Sequence, residues 1–252
     1  MKITVFGSSH GNPEKGRFQT SVLLQSGGRN YLIDAAEPAN AMLVQRGLRA
    51  AQVSAVFITH MHIDHTGGLP SLLEQAGKHR YMFPEINLAL YLPDPAAQAA
   101  LSAWSQVNGG NWQKGASGFD ITENSVYDDG VIRVSFIPTR HLEYGENGTP
   151  RSYGVMVEAE GKKVLFSGDL APDFMDFPAK EAAICDLVFC ELTHYKLADA
   201  LPVLQTLSPD KLVFYHLHTP HQSPEGEAVV LDKCKVLNYP VILAKDGEEI
   251  VL

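Results

Sequence analysis

The strongest constraint on this sequence is a group of four potential metal ligands that directly follows an apolar run. Residues 55–58, Ala-Val-Phe-Ile, predict a buried strand. The six positions after Thr59 contain the four ligands His60, His62, Asp64 and His65. An amphipathic segment, 69–76, then predicts a helix. We therefore expect the ligands on a loop at the carboxyl end of a strand, where functional side chains concentrate in α/β sheets.

The spacing of these ligands predicts one metal position and permits a second. In an extended loop His60 and His62 point to the same side, and Asp64, two residues further on, points to that side as well. His65 is adjacent to Asp64 and can point elsewhere, so a second ion can lie beside the first. Imidazole and carboxylate ligands suit zinc, and also manganese or iron. A solvated loop that is merely rich in histidine is the alternative, and the density of ligands argues against it.

The motif His-x-His-x-Asp-His resembles the signature of the metallo-β-lactamase superfamily. This resemblance implies an α/β fold, a four-layer αββα sandwich of two mixed β-sheets with helices outside. It places a site for one or two metal ions on the edge between the sheets. The sequence agrees at a coarse level, because strands followed by a helix occur in both halves of the chain, with ligand loops in each.

The same resemblance implies three later ligands. His141 follows the predicted strand 131–137, and Asp169 follows the strand 163–166 in a Ser-Gly-Asp segment whose carboxylate can bridge two ions. The last ligand is expected after the strand 211–215. Position favours His216 for this role, and His218 remains the alternative.

The resemblance divides the ligands into two sets with Asp169 shared. His60, His62 and His141 would hold one ion, and Asp64, His65 and His216 the other. A metal-bound hydroxide would then attack the substrate, with Asp64 accepting its hydrogen bond. His194 is predicted to protonate the leaving group, and His218 or a water on the second ion are alternatives. Glu191 or His194 could also orient a ligand, and a helix-capping role competes with this.

The amino-terminal segment narrows the range of substrates that we expect. The segment 16–24, Gly-Arg-Phe-Gln-Thr-Ser-Val-Leu-Leu, resembles the opening of the ribonuclease Z and cyclic-phosphate phosphodiesterase branch. Relatives that bind tRNA carry a flexible arm, and the interval from His141 to Asp169 is too short for one. The sequence also lacks an obvious His-Ser-Thr motif typical of that group. A small phosphodiester is therefore the expected substrate. A carbonyl compound (lactone, thioester or β-lactam) and a non-catalytic metal sensor are alternatives.

Whole-chain properties set further expectations. The 252 residues suit a single domain, 1–252, and the net charge of −9 disfavours large nucleic acids as partners. No apolar run approaches the ~18 residues of a membrane span, and no signal peptide is evident, so the cytoplasm is expected. A homodimer is plausible for the family. Local patterns predict a surface loop over 108–119, with a mobile lip over the site, in which an exposed Trp112 would contact substrate, as the alternative. They also predict a closing hairpin over 241–252 that turns at Asp246 and Gly247.

Overall fold

The computed structural model describes residues 1–12, 14–145 and 148–252, and within them the strands form two seven-stranded sheets. The first sheet contains β1 (Lys2–Gly7), β2 (Ser21–Ser26), β3 (Arg29–Ile33), β4 (Val53–Phe57), β5 (Leu88–Leu92), β6 (Ala116–Asp120) and β14 (Glu249–Val251). The second contains β7 (Val126–Asp128), β8 (Ile132–Pro138), β9 (Tyr153–Ala159), β10 (Lys162–Phe166), β11 (Leu187–Leu192), β12 (Lys211–Leu217) and β13 (Val241–Leu243).

Both sheets are mixed. The spatial order of the first is β14-β1-β2-β3-β4-β5-β6, antiparallel as far as β3 and parallel beyond it. The second runs β13-β12-β11-β10-β9-β8-β7, parallel from β13 to β10 and antiparallel from there. As a result β8, β10, β11 and β12 all end at the same edge of their sheet, which is where the predicted ligand loops emerge.

Helices cover the outer face of each sheet. They are α1 (Ala39–Gln45), α2 (Ile63–Thr66), α3 (Leu69–His79), α4 (Ala97–Val107), α5 (Ala179–Ala182), α6 (Leu197–Leu204) and α7 (Pro224–Lys233). One apolar cluster lies between the sheets, a second joins the first sheet to α1 and α3, and a third joins the second sheet to α6 and α7. The predicted αββα sandwich is confirmed. None of the described helices has both the length and the apolar character needed to cross a bilayer.

Strand β4 shows why an uninterrupted apolar run precedes the first ligands. Ala55 and Phe57 face the cluster between the sheets, whereas Val56 faces the cluster beneath the helices. A strand covered on both faces needs apolar residues at every position rather than at alternate ones. The loop that carries His60 therefore starts from one of the most constrained strands of the fold.

The predicted closing hairpin is wrong. Strand β13 pairs in parallel with β12, whereas β14 pairs antiparallel with β1 in the other sheet. The turn at Asp246 and Gly247 exists, but it carries the chain from one sheet to the other, and the Asp246 carboxylate accepts hydrogen bonds from the backbone and hydroxyl of Ser8. Short apolar strands on either side of a turn do not reveal their partners, because pairing is decided by the surrounding sheet.

The predicted loop over 108–119 is also partly wrong. It contains a 3₁₀ turn, Trp112–Lys114, and most of strand β6. Trp112 is only 4% exposed and its indole donates a hydrogen bond to Ser102 at 3.0 Å, so it is part of the core rather than a substrate contact. Gly118 serves this packing, since a Cβ there would lie 2.8 Å from the Trp112 ring. Gly115 and Gly118 are therefore required here for close approach, whereas Gly109 has open space around it.

Candidate metal centre

The seven predicted ligands meet where strand ends of the two sheets come together. His60 pairs across the sheet boundary with Ser152, and the backbone N–H of Tyr153 donates to the carbonyl of Thr59 at 2.9 Å. His141 follows β8, Asp169 follows β10, and His216 lies at the end of β12. Side chains that are up to 156 residues apart in the sequence are thereby brought into one cluster.

A first set of four donor atoms consists of one nitrogen each from His60, His62 and His141 and the carboxylate oxygen Oδ2 of Asp169. His60 Nε2 and His141 Nε2 lie 3.1 and 3.2 Å from His62 Nδ1. The same two Nε2 atoms lie 3.5 and 3.7 Å from Asp169 Oδ2. His60 and Asp169 are buried, whereas His62 is exposed and His141 partly exposed, so this set opens toward solvent on one side.

A second set shares the same oxygen. His216 Nε2 lies 3.2 Å from Asp64 Oδ2 and 3.4 Å from Asp169 Oδ2. His65 Nε2 lies 3.6 and 3.5 Å from these two oxygens. All four side chains are buried. Asp169 Oδ2 is thus the atom common to both sets.

Both sets fit divalent metal ions. A tetrahedral ion with metal–nitrogen bonds of ~2.0–2.1 Å has ligand atoms roughly 3.3 Å apart, and the distances within each set lie around that value. Among the described residues, His65 Nε2 and Asp169 Oδ1 are buried side-chain atoms without a hydrogen-bond partner. Unsatisfied buried polar atoms are costly, and a metal ion held by His65 Nε2 and the Asp169 carboxylate would offset this cost.

The carboxylates of the cluster are held in their ionised form. Burial alone would raise the pKa of Asp64, but the hydrogen bond from His216 and the nearby His65 lower it to about 2. Burial likewise opposes ionisation of Asp169, and the imidazoles of His216, His65 and His60 hold the pKa of this carboxyl well below its usual range. Both groups are therefore ready to bind a cation without first losing a proton.

One residue that orients a ligand was missed by the sequence analysis. Asp34, which directly follows β3 and is fully buried, accepts a hydrogen bond from His65 Nδ1 at 2.7 Å. Thr59 holds the same carboxylate in place through its backbone N–H and its hydroxyl, at 2.8 and 2.9 Å. This contact fixes the tautomer that leaves His65 Nε2 free to bind metal. Its position at the end of the strand beside β4 was the available signal.

Replacing Asp34 with asparagine is expected to weaken metal binding by about 10–100-fold, because an amide supports the imidazole less well than a carboxylate does. Asparagine has the same size and tolerates the positive φ of 58° found at this position. Competition with a chromogenic chelator measures the change. Asp128→Asn, a matched exchange at a half-exposed carboxylate, should bind metal as the unmodified protein does, and an equal loss in both variants would contradict this role of Asp34.

His194 borders the cluster but is not equivalent to the seven ligands. Its Nδ1 lies 3.0 Å from Glu191 Oε1 and 3.8 Å from Asp169 Oδ2, and its side chain is 28% exposed. Burial lowers the pKa of His194, but the hydrogen bond and charge of Glu191 outweigh it and raise the pKa above the usual value. Glu191 also accepts hydrogen bonds from the backbone of Thr193 and His194, so it fixes the turn that carries His194. The alternative helix-capping role is not observed, because α6 begins only at Leu197, after its N-cap residue Lys196.

The structure separates the two histidines proposed for the last position. His216 lies in the cluster, whereas His218 is exposed, contacts the ring of His10 at 5.2 Å and belongs to none of the metal-binding groups among the described residues. The prediction that the Asp64 side chain points to the same side as His60 and His62 is wrong, because the chain is no longer extended once α2 begins at Ile63. Asp64 consequently faces the second set together with His65 rather than the first set with His60 and His62.

Residues 15–216 match the family model described as the metallo-beta-lactamase superfamily. The chain belongs to this superfamily. Its relatives include the ribonuclease Z of Synechococcus sp. (strain CC9311), 39% identical over 97 residues, which are 38% of this chain and 30% of that protein. The ribonuclease Z of Mycolicibacterium paratuberculosis is 23% identical over 183 residues, 68% of this chain and 64% of that protein. The chain thus spans about a third of the length of several such superfamily relatives.

Solved structures of the superfamily share the whole fold. The metallo-beta-lactamase fold protein YhfI from Bacillus subtilis superposes with a TM-score of 0.79 at 18% identity, covering 99% of this chain and 98% of that one. The short form of human tRNase Z gives 0.72 at 20% identity, with coverage of 100% and 99%. A diphosphatase from the PhnP family gives 0.71 at 18%, with coverage of 100% and 97%. Superfamily membership and the candidate site together support a metal-dependent hydrolase.

Proposed function

We propose that this protein is a metal-dependent hydrolase that cleaves a small phosphodiester with two divalent ions. The observation that supports this proposal best is the pair of four-donor sets that share Asp169 Oδ2. Zinc is the first choice for both ions because imidazole nitrogens dominate the donors, and manganese or iron would also suit them. When bound, the two ions would activate a water and offset negative charge on the phosphoryl oxygens.

The chain's own residues prepare this chemistry. The Asp34 carboxylate keeps His65 in one tautomer and one orientation. Asp64 lies at the inner wall of the site, where a Cβ on Gly11 would be 3.3 Å from its Oδ2, so the glycine keeps the approach to this carboxylate open. We assign to Asp64 both ligation and acceptance of a hydrogen bond from the attacking water.

His194 is the side chain we assign to the leaving group. Glu191 Oε1 binds its Nδ1, which leaves Nε2 as the nitrogen available to a substrate. The ring lies 4.5 Å from that of His141 and 5.5 Å from that of His216, so it borders both ligand sets. A proton donated from Nε2 to the departing alkoxide would complete hydrolysis without any separate acid.

Three observations favour a small phosphodiester over other substrates. Relatives and structural neighbours are named as a ribonuclease and a diphosphatase, and both names refer to cleavage of phosphate linkages. The net charge of −9 opposes binding of a large polyanion. His62 is exposed and the His194 side chain is 28% exposed, so a small ester can reach the cluster from this side.

We further propose that residues 1–252 act as one domain and that the protein forms a homodimer.

Hydrolysis of bis(p-nitrophenyl) phosphate tests this function. Protein reconstituted with zinc or with manganese should release p-nitrophenolate, and excess chelator should abolish the rate until metal is returned. A simple lactone and a chromogenic β-lactam, assayed alongside, should remain intact. Turnover of a carbonyl substrate without turnover of the diester would contradict the phosphodiester assignment, whereas activity that survives complete metal removal would contradict the metal-dependent mechanism.

A further inference from the structure

The metal cluster continues into a second group of histidines. The chain has ten histidines, and nine of them form an unbroken series of ring contacts in which His79 takes no part. From His216 the series passes to His10 at 6.4 Å, then to His218 at 5.2 Å and to His221 at 6.2 Å between ring centroids. These last three rings lie beyond the two ligand sets and have no role in the proposed hydrolysis.

His10 is the fixed member of this group. It is only 7% exposed, and its Nε2 donates to the hydroxyl oxygen of Thr219 at 2.9 Å, because that hydroxyl donates its own proton to Glu14 Oε1 at 2.9 Å. The Glu14 carboxylate is therefore occupied by Thr219. His10 thus joins the amino-terminal loop to the segment that carries His218.

His218 and His221 are different, because His218 is exposed, His221 is half-buried, and neither ring is committed to a protein partner among the described residues. In the described part of the chain neither imidazole hydrogen bonds to another protein group, and the two rings are nearly perpendicular at 73°. Burial, His218 and the ammonium group of Lys233 together lower the pKa of His221, which places positive charge close by. Two imidazoles that can each donate an N–H, with the Lys233 ammonium near His221, make a local anion-binding arrangement.

The backbone that carries these two rings is held firmly. His218 N–H donates to the carbonyl of Leu192 at 3.2 Å, and His221 N–H donates to that of His218 at 2.8 Å. The Gln222 amide donates to Leu217 O and to Ser9 Oγ at 2.6 and 2.9 Å. A Cβ on Gly226 would lie 1.8 Å from Pro220 O, so α7 packs directly against this turn. The donors are pre-positioned, which reduces the entropy cost of binding.

We propose that His218 and His221 form a subsite for a second phosphate group of the substrate; this rests on the proposed phosphodiesterase function. In the series of ring contacts His216 stands between His194 and His10, so the subsite adjoins the second ligand set rather than the proton donor. The second phosphate then belongs to the half of the substrate that keeps the cleaved phosphate. The oxygen of water forms the new bond to phosphorus, and the bond from phosphorus to the leaving oxygen breaks. The leaving oxygen takes up a proton, so the products are an alcohol and a bisphosphate.

A matched pair of substrates tests the subsite. Thymidine 5′-(p-nitrophenyl phosphate) is compared with the same ester carrying a 3′-phosphate, using zinc-loaded protein. The 3′-phosphate should lower KM about 10-fold, as expected for one or two hydrogen bonds to a charged group, with little change in kcat. His218→Ala and His221→Ala should each reduce that KM ratio toward one. His79→Ala, the matched control outside the histidine series, should keep the ratio.

Binding gives a second measurement that does not depend on turnover. Calorimetry compares thymidine 3′,5′-bisphosphate with thymidine 5′-phosphate on metal-loaded protein, and the bisphosphate should bind about 10-fold more tightly unless His218 or His221 is replaced. Equal affinities in the unmodified protein, or a preference that survives both replacements, would overturn the subsite. If neither ester is hydrolysed, the proposed function fails, and the ratio of affinities still decides the subsite. Thermal melting verifies that each variant is folded.

Discussion

Asp169→Asn should abolish metal retention and hydrolysis together. Asp169 Oδ2 is the only donor that belongs to both sets among the described residues, at 3.4–3.7 Å from four imidazole nitrogens. An amide oxygen carries no charge and is a poor bridge between two cations, so the loss acts on both ions at once. We expect metal affinity to fall at least ~100-fold and kcat/KM by ~10³-fold or more, equivalent to about 4 kcal/mol of transition-state stabilisation.

The Asp169 prediction is checked by metal analysis after dialysis and by the rate on bis(p-nitrophenyl) phosphate. Asp210→Asn is the matched control, since this carboxylate is 67% exposed and contacts Lys162 rather than the cluster. The control should keep its metal and its rate. An Asp169→Asn protein with full metal content and full rate would contradict the claim that this carboxylate is a ligand of both ions.

His194→Ala should slow hydrolysis by an amount that depends on the leaving group. An alkoxide leaves poorly unless it is protonated, so removing the acid should cost ~10²–10⁴-fold with an alkyl ester. p-Nitrophenolate is stable without a proton, and its release should slow less than about 10-fold for the same reason. A purely structural role of His194 would slow both esters equally.

Two variants sharpen the His194 experiment. Glu191→Gln keeps the size of the residue that binds His194 Nδ1 at 3.0 Å but removes its charge, and we expect the same leaving-group dependence with a smaller magnitude. His79→Ala should leave both rates unchanged, because His79 hydrogen bonds only to Gln75 within α3 among the described residues. Metal content is measured in every variant, since loss of metal would slow all substrates alike.

The part of the site that the sequence predicted follows from strong local constraints. Strand β4 is buried on both faces, which makes its apolar run conspicuous, and His60, His62, Asp64 and His65 follow it directly. His141, Asp169 and His216 each lie at a strand end in the same order as in the resembled family. Parallel strands bring their carboxyl ends to one edge of a sheet, so sequence order was sufficient to anticipate which side chains would meet.

The features that the sequence did not predict depend on contacts between distant segments. Asp34 hydrogen bonds to His65 across 31 positions; its place at a strand end is a signal, but the local pattern does not distinguish a buried aspartate from one at the surface. The partners of β13 and β14 lie in different sheets, which an apolar pattern cannot specify. Likewise, the glycines near Trp112 indicate a loop in isolation, although Gly115 and Gly118 here allow close packing next to and within β6.

An anomalous difference map from crystals of the zinc-reconstituted protein tests the two-ion site most directly. It should show two peaks roughly 3.5–4 Å apart. One peak should lie within about 2.2 Å of nitrogens of His60, His62 and His141, and the other equally close to Asp64, His65 and His216, with Asp169 between them. A single peak, or zinc bound away from Asp169, would contradict the shared-carboxylate site.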